Sequence, residues 1–106
     1  MIKQYLIDHH AIGKDNAIPT RDITNDLSIS KRALVATVSK ERTNGALICS
    51  KTNGDGGYYM PASREEVEEQ HKVLEHGIKM RALALRPFRK ALKEYRKEGG
   101  GPLNGK

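Results

Sequence analysis

Ile2, Tyr5, Leu6 and Ile12 fall at spacings near three and four, so Met1 to about Ala11 predicts a short helix with one buried stripe, ended by Gly13. The stretch GKDNAIP is turn-rich, and Thr20 after Pro19 is a suitable N-cap for a second helix that buries Ile23 and Leu27. Asp22 lies in its first turn, where the helix dipole favours a carboxylate. Ser28-Ile29-Ser30 is then a three-residue bridge with an apolar middle and a hydroxyl able to cap a third helix, from about Lys31 to Thr43. Leu34 and Val38 form the inner face of that helix, and Asn44-Gly45 supplies its stop. Helix, short bridge and helix make a helix-turn-helix pattern.

Ala46–Ser50 and Tyr58–Met60 are strand-like runs separated by KTNGDGG, whose glycines permit the positive φ angles of a hairpin loop. Pro61-Ala62-Ser63 leads into a long helix. Ser63 and Glu66 form a capping box, and Glu65, Glu66, Glu68 and Glu69 crowd the positive end of the dipole. Val67, His71, Leu74, Ile78, Ala82, Leu85, Phe88, Leu92 and Tyr95 then recur at steps of three and four as one mostly apolar seam. Pro87 predicts a kink or a fresh helix start. The expected fold class is mainly α with a small β-hairpin. Its parts are a domain over residues 1–62, a long and kinked helix over 63–97, and a flexible tail over 98–106.

Composition narrows the function. With 106 residues the chain holds one core and an appended helix, which leaves no room for a two-domain enzyme. Nineteen Lys and Arg against thirteen Asp and Glu give a net charge of +6, in the range of nucleic-acid binders, with the C-terminal half the more basic. The N-terminus lacks the apolar core of a signal peptide, and no run is long enough to span a bilayer. The single cysteine, Cys49, has no internal disulfide partner. No membrane partner and a cytoplasmic location are the resulting expectations.

With Leu34 centred on the buried face of the third helix, Arg32, Ala36, Ser39 and Thr43 point the other way, flanked by Val35 and Lys40. If this face enters a major groove, Arg32 suits a guanine edge or a phosphate. Ser39 and Thr43 can hydrogen-bond, and Val35 or Ala36 can meet thymine methyls, with Ser30 and Lys31 at the helix start. The rival reading is a structural helix whose outer residues are merely solvated. Counting turns from Leu34 and Val38 lands on Glu41, which predicts a looser helix end or a salt bridge there.

The stretch DITNDLSISKRALVATVSKERTNGALICSKTNGDGGYYM, with LSISKRAL at the bridge and GALICS and GGYYM as strands, resembles the winged helix-turn-helix superfamily. The likeness is greatest to small regulators of bacterial phages and mobile elements, and it covers about residues 1 to 62. It implies a double-stranded DNA partner, a bacterial host cytoplasm, and a wing in which Lys51, Thr52 and Asn53 meet phosphates. A role in transcription regulation, or in phage or plasmid replication or excision, follows from it. The nonbasic centre of the third helix motivates the alternative of a protein-interaction module that binds a host protein.

The basic run Lys79, Arg81, Arg86, Arg89, Lys90, Lys93, Arg96 and Lys97 has three readings: a phosphate track, the solvated outside of an amphipathic helix, or the flank of a homodimer seam through Val67, Leu74, Ile78 and Leu85, to which packing of the helix back onto residues 1–62 is the rival. Catalysis finds no support. His9 and His10 diverge on a helix, and His71 and His76 miss the one-face spacing a metal needs, so neither metal nor cofactor is expected. KTNGDGG lacks the GK[ST] ending of a phosphate loop. Cys49 reads as a buried thiol, and the glutamate cluster as helix capping.

Overall fold

The computed structural model describes residues 1–54 and 56–97, and over these the chain is mainly helical with one small antiparallel sheet. The expected tail at 98–106 lies outside the described residues. Residues 1–71 form one compact unit, and the chain from Lys72 onward forms a second.

Helix α1 (Ile2–Asp8) buries Ile2, Tyr5 and Leu6 as the stripe predicts. It ends before Ala11, because His10 takes a left-handed conformation (φ 58°) and Ala11 N–H turns back to the Leu6 carbonyl at 2.8 Å. That turn carries Ile12 out of the stripe, and its side chain is exposed. A single 3-10 turn (Lys14–Asn16) follows.

Helix α2 (Thr20–Leu27) corrects the assignment of Thr20. The N-cap is Pro19, and Thr20 is the first helical residue with no capping bond from its side chain. The Pro19 carbonyl accepts from Asp22 and Ile23, and the pyrrolidine ring restricts φ without offering a side-chain acceptor. Ile23 is buried and Leu27 half-buried. Ser28 is left-handed (φ 54°), which reverses the chain toward helix α3 (Lys31–Thr43). Here the expected details hold: Ser30 Oγ accepts from Ala33 N–H at 3.0 Å, Leu34 and Val38 are buried, and Gly45 stops the helix at φ 104°.

Strands β1 (Cys49–Lys51) and β2 (Gly57–Tyr59) pair Cys49 with Tyr59, Ser50 with Tyr58 and Lys51 with Gly57. Both runs are shifted by a residue or more from their apolar signals: residues 46–48 stay outside the ladder, and Met60 bonds to Ala11 and Gly13 instead. The second edge of β2 is also used. Ile18 and Tyr58 exchange both backbone bonds at 3.0 and 3.1 Å, Met60 N–H reaches Ala11 O at 2.8 Å, and Gly13 N–H reaches Met60 O at 2.7 Å. Gly57 must be glycine: its φ is 134°, and an added Cβ would lie 2.5 Å from the Ile18 carbonyl oxygen. The core is Ile2, Tyr5, Leu6, Ala11, Ile23, Leu34, Val38, Ile48 and Met60, contributed by α1, α2, α3, the turn after α1 and the residues flanking the two strands.

Helix α4 (Arg64–Lys97) runs unbroken through Pro87, so the expected fresh helix does not form. The Leu83 carbonyl loses its N–H partner there, but that side of the helix is exposed and water can take it. Ser63 Oγ accepts from Glu66 N–H as a capping box requires. The Glu66 carboxylate does not return the bond to Ser63; it accepts from Ala62 N–H at 2.8 Å and from Lys14 N–H at 3.0 Å, and so ties the start of α4 to the 3-10 turn. Gln70, buried, accepts Ser50 N–H on the outer edge of β1 at 2.8 Å.

Glu41 resolves the break in the apolar pattern of α3. Its carboxylate accepts from the N–H groups of Ile2 (2.7 Å) and Lys3 (3.0 Å), with the Met1 ammonium at 3.2 Å. A salt bridge, one of the two expected outcomes, is therefore present, and the carboxylate also caps α1. Burial pushes its pKa up, but these bonds and the ammonium outweigh burial and leave it below the ordinary value of 4.5. A carboxylate with a depressed folded pKa stabilises the fold above its unfolded pKa and loses that contribution as pH falls through the folded value. Thermal unfolding of the wild type between pH 7 and pH 3 should show stability falling below about pH 4.5. Glu41→Gln should cost about 1 kcal/mol at pH 7 and flatten that slope. An unchanged slope would separate Glu41 from the acid response. Among glycines, Gly57→Ala should be far more destabilising than Gly45→Ala, whose Cβ meets nothing within 4 Å although its φ is also positive. Equal losses in denaturant titrations would contradict the close Ile18 approach.

Candidate nucleic-acid interface

The outward side of α3 carries the residues singled out for DNA. Lys31, Arg32, Val35, Ala36, Ser39, Lys40 and Thr43 are all exposed, on the side opposite buried Leu34 and Val38. Lys31, Arg32 and Lys40 form no ion pair or side-chain hydrogen bond with other described residues, so their charges face solvent. Ser30 is exposed, but its oxygen is engaged by the Ala33 N–H, so its remaining use is to donate its proton. The Thr43 hydroxyl donates to Ser39 O at 3.1 Å and is left as an acceptor. Val35, half of its surface exposed, is the one large apolar side chain on this face.

Arg42 is basic but does not belong to the same face. Its Nε donates to the Ile48 carbonyl at 2.8 Å and fastens the end of α3 to the strand approach. Burial pulls its pKa down, against the opposing influence of Tyr58 and Cys49, and its Nη2 is buried without a partner among the described residues. A positive charge is kept indoors here to hold backbone, and α3 presents three outward cations rather than four.

Of the loop residues, Lys51 is half-exposed at the end of β1, while Thr52 and Asn53 are exposed. The loop closes through Gly56 N–H to Asn53 O at 3.1 Å, with Gly54 and Gly56 at positive φ. A Cβ placed on Gly56 would lie 3.8 Å from Thr20 Oγ1, so the hairpin returns beside the start of α2. There, Thr20, Arg21, Thr24 and Lys31 line a shallow depression between the first turns of α2 and α3. Sequence reasoning missed Thr20 and Arg21 as surface groups. From sequence Thr20 has a capping role, and the signal against it is Pro19, which already fills that position.

The opposite side of α2 is acidic. Tyr5, His9, Asp22, Asn25 and Asp26 share a shallow groove with Ile18, and the Tyr5 hydroxyl donates to Asp26. Burial, reinforced by that carboxylate, pushes the Tyr5 pKa up to about 12. His9 stacks on Tyr5 with ring centroids 4.1 Å apart and bonds its carbonyl through Nδ1. Positive and negative groups are thus sorted to different sides of one short helix.

Among the described residues no group of three or more His, Cys, Asp or Glu side chains is arranged to hold a metal ion, and no helix is long and apolar enough to cross a membrane. The seam residues Leu74, Ile78 and Leu85 are exposed along α4, and Val67 is half-buried within the 1–71 unit. Lys79, Arg81, Arg86, Arg89, Lys90, Lys93, Arg96 and Lys97 are exposed as well. Comparison with family models, curated proteins and solved structures found no match to the chain.

Cys49 is buried, and its Sγ points to the Leu47 carbonyl at 3.7 Å. Burial, with Glu66 next in effect, pushes the thiol pKa up, away from the thiolate that a nucleophile requires. A thiol reagent at pH 7.5 should leave Cys49 unmodified over a time in which urea-unfolded protein reacts fully. Rapid labelling of the native chain would contradict that environment.

Proposed function

We propose that the chain is a winged helix-turn-helix protein that binds duplex DNA through α3 and the hairpin loop. The fold reading is supported by the order of elements: a helix, the bridging residue Ile18, two helices joined by Ser28-Ile29-Ser30, then two strands, with Ile18 and β1 on opposite edges of β2. The functional reading rests chiefly on one observation: Lys31, Arg32 and Lys40 are exposed and unpaired among the described residues on a helix whose other side is the core. Lysines and arginines not held by internal carboxylates are free to displace counterions from a phosphate backbone, which provides affinity that weakens with salt.

Within this reading each part has a physical role. Arg32 lies in the first turn of α3, the end that contacts base edges when such a helix enters the major groove. Val35 and Ala36 provide an apolar surface that fits a thymine methyl, and Ser39 extends the polar row. Thr20, Arg21 and Lys31 form a phosphate cradle at the start of α2 and α3, where backbone N–H groups and the helix dipoles add to the cations. Lys51, Thr52 and Asn53 reach a second stretch of backbone. The Asp22 and Asp26 side of α2 repels the same polyanion and sets the orientation of approach.

Fluorescence anisotropy with a mixed-sequence duplex and with heparin, each at two salt concentrations, tests the proposal. Saturable duplex binding stronger than heparin binding is expected. Arg32→Ala and Lys40→Ala should each weaken it and lower the slope of log affinity against log salt by about 0.9. Unaltered binding by both variants would remove α3 from the interface, and equal affinity for heparin and duplex would reduce the protein to a general polycation. Absent binding to both would favour a protein partner on the Val35 and Ala36 surface.

A further inference from the structure

In the second unit, α4 leaves its largest apolar side chains in water: Ile78 is 65% exposed and Phe88 67%, with Leu74, Leu85 and Leu92 each more than 40% exposed. Leu74, Ile78, Arg81, Leu85, Phe88 and Leu92 follow steps of four, three, four, three and four. That is the alternation of a and d positions in a left-handed coiled coil, over about 27 Å of helix. The register assigns Arg81, not Ala82, to the seam, with Ala82 beside it.

We infer that this segment is the interface of an antiparallel homodimer, in which Leu74 faces Leu92 of the second copy, Ile78 faces Phe88, and Arg81 faces Leu85. Three features of the chain select a second copy, reversed, as the occupant. The first is charge: along the seam Glu75 lies near the start and Arg86, Arg89, Lys90 and Lys93 near the end, while Glu66, Glu68 and Glu69 are already engaged by Ala62, Lys14 and Arg64. Parallel alignment would set the basic end beside itself, whereas reversal brings Glu75 to it. The second is the flank following d, where the same register sets Glu75 against Arg89 at both ends and Ala82 against Ala82 in the middle. The third is the flank preceding a, where Gly77 meets Ala91 and Ala84 meets Ala84. One side of the seam is therefore small enough for close backbone approach, while the other is charge-matched. Shifting the pairing one heptad toward the C-terminus leaves Leu74 without an apolar partner among the described residues, and shifting it the other way sets Glu75 against Ala82 and Arg81 against Ile78.

Arg81 is the polar residue of the seam. Its methylene stem can cover Leu85 of the second copy while the guanidinium reaches water, at a cost in stability. A single polar layer of this kind penalises registers that would place it among Ile78 and Phe88. The inference does not depend on what α3 binds.

Sedimentation equilibrium of the full chain should give a dimer, and Ile78→Asp a monomer whose far-ultraviolet circular dichroism and binding to a mixed-sequence duplex are retained. Loss of the dimer with DNA binding intact, or the converse, separates this inference from the DNA reading. Glu75→Arg should raise the dimer dissociation constant about tenfold, since two pairs change sign, and adding Arg89→Glu in the same chain should restore it. Orientation is read by cysteine pairing in a Cys49→Ser background. Under mild oxidation Ala84→Cys should cross-link to itself, and a mixture of Gly77→Cys and Ala91→Cys chains should give the mixed dimer in preference to either homodimer. A monomeric wild type, no rescue by the double charge exchange, or self-linking by Leu85→Cys in place of Ala84→Cys would each overturn the proposal.

Discussion

Strand β2 is three residues long, and a hairpin of that length has little stability in water by itself. Everything in the first unit depends on its being paired along both edges. On one side β1 forms the hairpin; on the other, Ile18, Ala11 and Gly13 supply the partners for Tyr58 and Met60. This second edge brings the loop after α1 and the entry to α2 onto the same few residues that close the hairpin. Gly57 is the steric condition for that arrangement, since the Ile18-Pro19 backbone passes where any side chain would lie. The loop residues Lys51 to Asn53 and the Thr20 to Thr24 turn are neighbours as a consequence, and α3, packed through Leu34 and Val38 on the same core, completes the surface.

Side chains that bind backbone do the remaining fastening. Glu41 holds the N–H groups opening α1, Glu66 holds those of Ala62 and Lys14, Gln70 holds the free edge of β1, and Arg42 holds the Ile48 carbonyl. Each satisfies backbone groups that the short elements leave unpaired, and such groups cost more when stranded than an average hydrogen bond contributes when made. Gln70 Nε2 and Arg42 Nη2 remain buried without partners among the described residues. A core without phenylalanine or tryptophan carries these two unsatisfied donors, and the same two side chains hold the strands.

Helix α3 was legible because its signals are local: Ser30 before it, Leu34 and Val38 one turn apart, Asn44-Gly45 after it. The start of α4 was legible for the same reason. What sequence reasoning could not provide was long-range. Ile18 is a single bridging residue before a proline, with no run to mark a strand, and its partner is forty residues away in the chain. The end of α1 was placed too late because the residue that turns left-handed is His10, not the expected Gly13. Glu41 was visible as a break in a pattern, but its partners lie at the first turn of another helix. At the candidate interface the outward row of α3 followed from helical geometry, whereas Thr20 and Arg21 required knowing that Pro19 occupies the N-cap.

Charge performs two separate tasks in this chain, and the net value of +6 conceals both. In the first unit the outward cations of α3 are few, and their effect comes from being unopposed, with the carboxylates of α2 turned to the Tyr5 side and Glu41 and Glu66 engaged in capping. In α4 the charges are many but ordered along the axis, acidic first and basic later, an order that also suits the helix dipole at each end. A helix polarised in this way is self-complementary only when reversed on itself. Under the proposed pairing the basic run has a use that does not compete with nucleic acid: charges beside the apolar seam would select the orientation of a pair, and those away from it would stay available to solvent or to phosphate. Lys79, Lys90 and Lys97 lie away from that seam and Arg89 beside it, so the composition that suggests a polyanion binder is also compatible with a directed assembly.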